Sequence, residues 1–107
     1  MHKISTVEEF EEILQKGKQF AFLKHSTTCP ISAHAYEEYT AFAHEHEEVP
    51  TYYLHVQEAR PLSAHIAETF NIKHESPQVF VFENGEPTWN ASHSSITSGA
   101  LTEQTQK

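Results

Sequence analysis

Two runs of the chain are apolar at nearly every position, Phe20-Ala21-Phe22-Leu23 and Gln78-Val79-Phe80-Val81-Phe82. Strands that read this way are covered on both faces, as in the middle of a sheet. Elsewhere the apolar residues recur at helical spacing. Val7, Phe10, Ile13 and Leu14 form one stripe, with Gly17 as its natural stop. Ahead of it, Ser5 with Glu8 and Thr6 with Glu9 offer two overlapping capping boxes. Ile31, Ala35, Tyr39 and Phe42 form a second stripe, on a helix predicted to run from the segment around residue 29 to about Glu48. Thr51-Tyr52-Tyr53-Leu54-His55-Val56 reads as a strand by its β-branched and aromatic content and its alternation. Pro61 opens a short helix with Leu62, Ile66 and Phe70 turned inward. Asn84-Gly85 is a two-residue hairpin signal. The strand that returns from it, Pro87 to Ala91, contains a proline and therefore belongs on a sheet edge. Thr97 caps a last helix through Leu101, weakened by Gly99, and His2-Lys3-Ile4 leaves room for a stub of strand.

The order is α-β-α-β-α-β-β-α. A β-α-β crossover pairs its strands in parallel and a closing hairpin pairs its strands antiparallel. This is the architecture of an α/β, thioredoxin-like three-layer fold. It implies a central mixed sheet of about four strands flanked by helices, in one domain spanning residues 1–107.

Composition narrows the function. A chain of 107 residues buries roughly 65% of the surface its unfolded form exposes, enough for one modest core. The formal net charge of −8 opposes binding to phosphate backbones, so no nucleic-acid partner is expected. No apolar run approaches the ~18 residues of a membrane span, and the N-terminus lacks the apolar core of a signal peptide. One cysteine excludes an internal disulfide framework and a cysteine zinc site. A cytoplasmic, reducing compartment follows as the expectation, because an unpaired thiol survives there.

That cysteine is Cys29, in Ser26-Thr27-Thr28-Cys29-Pro30-Ile31-Ser32, between an apolar strand and a helical pattern. Pro30 suits the first helical position, where its missing N–H costs nothing. Cys29 is then expected at the N-cap, where unpaired N–H groups and the helix dipole favour an anion. An ordinary thiol, with a pKa near ~8.5, is only roughly 3% thiolate at pH 7, whereas a helix start can lower the pKa to about 3.5–7.5. The second half of the site is expected in His74-Glu75-Ser76-Pro77-Gln78, the loop before the hairpin. A cis Ser76–Pro77 bond there would turn the backbone of Ser76 outward, to pair in β-fashion with a disulfide substrate.

Lys24-His25-Ser26-Thr27-Thr28-Cys29-Pro30-Ile31-Ser32, Arg60-Pro61-Leu62-Ser63, Lys73-His74-Glu75-Ser76-Pro77-Gln78, and Trp89-Asn90-Ala91-Ser92-His93 with Ile96-Thr97 together resemble the monothiol bacilliredoxin family. The resemblance spans nearly the whole chain and implies a thioredoxin-like fold. It also implies an association with bacillithiol, a low-molecular-weight thiol that replaces glutathione in some bacteria, and makes Cys29 the active-site thiol. The position of a dithiol thioredoxin's resolving cysteine holds Ser32. The implied activity is therefore that of a monothiol oxidoreductase removing bacillithiol from bacillithiolated proteins. Cys29 would be regenerated by a second bacillithiol or another redoxin. No bound cofactor is expected; bacillithiol is a co-substrate. Thr28, Pro30 and Ser32 support the thiol, and the Ser32 hydroxyl could donate a hydrogen bond to it.

Bacillithiol carries a malyl group. Lys24-His25 and Lys73-His74, ahead of the two site segments, are expected to meet on one rim as a local cationic patch for its carboxylates. His44-Glu45-His46 is a poor metal chelate, because residues two apart point to different helix faces. Trp89, Tyr36 and Tyr39 read as packing residues. Two other functions compete: an iron–sulfur carrier of the monothiol glutaredoxin type, which the Pro30-Ile31 pair disfavours by stiffening the loop, and a non-enzymatic module whose Cys29 is only a thiolation target.

Overall fold

In a computed structural model of the chain, residues 1–28 and 30–106 are described; Cys29 and Lys107 lie outside them, and with Cys29 the expected N-cap. The element order is β1 (His2–Lys3), α1 (Val7–Gln15), β2 (Phe20–His25), α2 (Pro30–Glu45), β3 (Thr51–His55), α3 (Arg60–Phe70), β4 (Gln78–Glu83), β5 (Glu86–Ser92), a 3-10 turn (His93–Ser95) and α4 (Ser98–Thr105). The described strands form one sheet in the order β1-β3-β2-β4-β5. β2 pairs parallel with β3 and antiparallel with β4, so the two apolar runs are its centre. The count is five strands rather than about four, because the stub His2–Lys3 pairs parallel with Tyr52 and Tyr53.

Alternation along β2 and β4 builds two cores. Phe20, Phe22, Phe80 and Phe82 meet Phe10 of α1 and Leu62 and Ile66 of α3. The Phe20 and Phe82 rings stack at 4.8 Å, and Phe10 sets its edge against Phe22 and Phe82. On the other face Ala21, Leu23, Val79 and Val81 meet Ala35, Tyr39 and Phe42 of α2 and Leu101 of α4.

Of the two overlapping capping boxes, Thr6 with Glu9 forms: the Glu9 N–H donates to Thr6 Oγ1 and the Thr6 N–H to Glu9 Oε1. Asn84 and Gly85 both adopt positive φ, 55° and 78°, as a hairpin turn matched to strand twist requires. β5 is the outer strand, as Pro87 demands, with a register shift between Val81 and Phe82. Trp89 packs against the α2-side core. Thr97 caps α4, which runs past Leu101 to Thr105.

Two expectations are corrected. α2 ends at Glu45, not near Glu48, because Val49 must turn into the core before β3. Ile31 is not in the buried stripe of α2; it is 50% exposed, and Ser32 is buried in its place. Both lie within helical reach of Ala35, at i−4 and i−3, and the inward position at the first turn goes to the smaller residue.

Tyr39 ties α2 to β3. Its hydroxyl donates to the Tyr52 carbonyl at 2.8 Å and accepts from the Tyr52 N–H at 3.2 Å. Burial pushes its ionisation well above the ordinary tyrosine range. Tyr39→Phe leaves that hydroxyl's two backbone contacts unmade in a dry site and should cost about 1–3 kcal/mol in urea unfolding. A loss near zero would show that the contacts contribute nothing net.

Candidate active site

The site is built where β2 ends. Consecutive residues of a strand point to opposite faces, so Lys24 and His25 part company. Lys24 turns toward α3 and is fully buried. Its ammonium donates to the Ser63 carbonyl at 3.0 Å and to His74 Nδ1 at 3.2 Å, and lies 5.7 Å from the centre of the Phe80 ring. No carboxylate pairs with it among the described residues. Burial pushes its pKa down from 10.5 to about 8.

His74 stands between this buried amine and the surface. An ammonium has hydrogens but no lone pair, so Nδ1 accepts and the ring proton sits on Nε2. Ser63 Oγ is also within 3.1 Å of Nδ1. Burial, then the charges of Lys24 and Arg60, hold the His74 pKa below the usual histidine value, while Glu75 pulls the other way. The ring is therefore neutral near pH 7, with its N–H on Nε2.

His25 turns toward α2. It packs on Tyr36 at 4.6 Å and near His55 at 5.4 Å, and Tyr53 continues the cluster. Burial and then His55 lower its pKa. Its Nδ1 is buried with no partner among the described residues.

Ser26, Thr27 and Thr28 then form a turn held from the β3–α3 loop. Gln57 Nε2 donates to Ser26 Oγ at 2.9 Å and to Thr28 Oγ1 at 3.2 Å, while Gln57 Oε1 accepts from the Thr27 N–H at 3.4 Å. Thr28 and Pro30, which flank Cys29 in the sequence, are both exposed. The Ser26 N–H donates to Ser32 Oγ at 3.3 Å, so the inward-facing Ser32 ties the first turn of α2 back to the end of β2.

The opposing loop is tied by Gln78, also buried. Its carboxamide accepts from the Glu75 N–H at 3.2 Å and donates to the Lys73 carbonyl at 3.1 Å. The Ser76–Pro77 bond is cis, as expected, and Pro77 is buried. The Pro77 carbonyl accepts from the His93 N–H, and Glu75 lies 3.7 Å from His93 Nε2. The Ser76 hydroxyl is buried without a partner among the described residues.

The fold thus brings Lys24 to His74, but not the four residues to one rim. Lys24 is inside, His25 faces the other layer, and only Lys73 and His74 are exposed. The alternation of β2 and the cover provided by α3 are the reason. Sequence reasoning missed Gln57, and it quoted Ser63 and Gln78 within the family motifs without giving either a role of its own. Only the expectation that β3 lies beside β2 could have pointed to Gln57, by placing the loop after His55 near the loop after His25.

Comparison with known proteins agrees with this geometry. A solved protein described as having a thioredoxin fold, and provisionally as an oxidoreductase, is 45% identical over 98% of this chain and 92% of its own, with a TM-score of 0.91. Mitochondrial thioredoxin 3 of Saccharomyces cerevisiae superposes with a TM-score of 0.78 at 14% identity, over 99% of this chain and 93% of that one. Fasciola hepatica thioredoxin gives 0.78 at 16%, over 99% and 97%. At such identities these two speak to the fold alone. The family model for monothiol bacilliredoxin BrxC matches residues 2–101. With that match over nearly its whole length, and a thioredoxin-fold relative at 45% identity, the chain belongs to the monothiol bacilliredoxin family.

Proposed function

We propose that this thiol oxidoreductase removes bacillithiol from protein mixed disulfides through Cys29. The observation that carries the reading is the pairing of one cysteine with Ser32 three residues on, in a chain that matches the monothiol family. The Cys29 thiolate attacks the bacillithiol sulfur of a protein–S–S–bacillithiol disulfide. The new S–S bond forms as the old one breaks, and the client's thiolate leaves and takes up a proton. Cys29 keeps bacillithiol as a mixed disulfide. A second bacillithiol, or the thiol of another redoxin, then attacks the bacillithiol sulfur and returns Cys29 as thiolate, supplying the two electrons.

The surroundings support each part. The helix beginning at Pro30 offers its positive end to an anion next to it. Ser32 Oγ already accepts from Ser26, which leaves its own hydrogen to donate. The loop of Ser76 and Pro77 would receive the disulfide, Ser76 with a spare buried hydroxyl. The malyl carboxylates would meet Lys73 and the His74 N–H, with Lys24 acting behind His74 rather than on the rim. His25 would serve from below, through its packing on Tyr36.

The reduced protein, incubated with a bacillithiolated client, should gain the mass of bacillithiol on the peptide containing Cys29 as the client loses it. A client that stays modified while Cys29 stays free would overturn the proposal.

A further inference from the structure

Among the described residues Lys24 is the one lysine or arginine that is buried. Its ammonium donates to two acceptors. The Ser63 carbonyl belongs to α3, and Nδ1 belongs to His74, a residue that is itself exposed. A neutral imidazole that accepts at one nitrogen donates at the other, and hydrogen bonds in a chain polarise one another. The ammonium therefore draws electron density from the ring and strengthens the Nε2–H as a donor, while the ring stays neutral. Nε2 makes no hydrogen bond among the described residues. Three other charges bear on the pair. Arg60, at the start of α3, has the sign of Lys24. Glu75 opposes it from the next position of the loop, and its carboxylate lies 3.7 Å from His93 Nε2. Lys73, on the other side of His74 in the chain, is exposed.

We propose that Lys24 and His74 form one carboxylate-binding unit, in which the charge is buried and the contact is made by a neutral ring. It rests on the reading of a carboxylate-bearing thiol as co-substrate, and gives that thiol its recognition site. Lys24 is the positioning residue of the unit and need not touch substrate. The two lysines of the region then act differently. A charge in water is screened by salt, whereas a charge beneath the surface is screened much less. On a chain of net charge −8 the long-range field opposes a dicarboxylate. The buried cation supplies an attraction that persists where that of the exposed lysine is gone. A lysine that only braced Ser63 and His74 would have no such effect on an anion.

The probe is malate, a dicarboxylate without sulfur, titrated into the protein at neutral pH. Binding is read from the backbone amide signals of residues 73–76 in NMR spectra. The titration is run at about 0.1 M and about 1 M salt, where the Debye length is about 10 Å and about 3 Å. Lys24→Met should weaken malate about fivefold at both salts, and Lys73→Ala only at the lower one. His74→Gln can still accept from the ammonium and donate to a carboxylate, so it should bind malate more tightly than His74→Leu by a similar factor. Equal affinities of wild type and Lys24→Met at about 1 M salt overturn the unit, as do equal affinities of the two His74 variants. Malate that leaves residues 73–76 of the wild type unmoved overturns it as well. Should Lys24→Met not fold, the His74 variants, at an exposed position, decide alone. Bacillithiol transfer to Cys29 is followed separately. Transfer without malate binding removes the unit and leaves the reaction standing. Malate binding with the expected pattern but no transfer removes the reaction and leaves a dicarboxylate site.

Discussion

With methionine in place of Lys24 the protein should gain about 1–3 kcal/mol of stability at pH 7 and lose that gain by about pH 10. Lys24 is a fully buried amine with no carboxylate partner among the described residues, and its pKa falls from 10.5 to about 8. Below pH 8 it is charged both folded and unfolded, and the folded state bears the full cost of a buried charge. Above 10.5 it is neutral in both and the cost is gone. In between, the unfolded chain holds more protons, so this group makes stability rise with pH. At about 1.4 kcal/mol per unit, the window from 8 to 10.5 carries about 3 kcal/mol. Against this stand two hydrogen bonds, to the Ser63 carbonyl and to His74. Methionine fills a similar volume without a charge, and such replacements of buried ions are often stabilising. Urea unfolding of both proteins at pH 7, 9 and 10 measures the difference. A loss of stability of the same size at every pH would show that the two hydrogen bonds outweigh the charge. If the gain appears, the chain keeps a costly lysine for another reason, and the fixed N–H of His74 is the reason its contacts offer.

Ser32→Cys should change the course of the reaction altogether. Two cysteines three residues apart at the first turn of a helix fall within the roughly 4.4–6.8 Å that a disulfide needs between Cα atoms. In the proposed cycle the wild type stops at the Cys29–bacillithiol disulfide until a second thiol arrives. In the variant, the thiol introduced at position 32 attacks the Cys29 sulfur and bacillithiol leaves as the thiolate. An internal disulfide between positions 29 and 32 remains. Well-oriented intramolecular reactions reach effective molarities of about 10⁵–10⁸ M, so the mixed disulfide should become shorter-lived by orders of magnitude. Position 32 is buried and already faces the end of β2 through Ser26, so the new sulfur starts oriented. Mass spectrometry after one turnover should find an unadducted protein two hydrogens lighter. A bacillithiol adduct that persists as long as in the wild type would show that residue 32 cannot reach the reacting sulfur.

Much of the fold is legible in the sequence because its signals are local and agree with each other. Phe20 to Leu23 and Val79 to Phe82 can only be central strands. Asn84-Gly85 fixes the hairpin, and Pro87 fixes which strand lies outside. The site is legible in part. Cys29, Ser32 and the cis-proline loop are marked by residue type and by family. Lys24 is misread because Lys24-His25 at a strand end looks solvated, and only the packing of α3 and of the loop from Lys73 to Gln78 shows otherwise. Ile31 and Ser32 cannot be ranked by spacing, since either suits the stripe of Ala35, Tyr39 and Phe42. Gln57 leaves no trace in any periodicity. Its partners are fixed by where two loops end in space.

The divergence of Lys24 and His25 has a wider consequence. Neighbours in the chain, they report to different halves of the interior: one through Ser63 and Phe80 to the layer of α1 and α3, the other through Tyr36 to the layer of α2 and α4. Each layer of the interior therefore has its own line of contact to the end of β2, and neither line has to pass through the other.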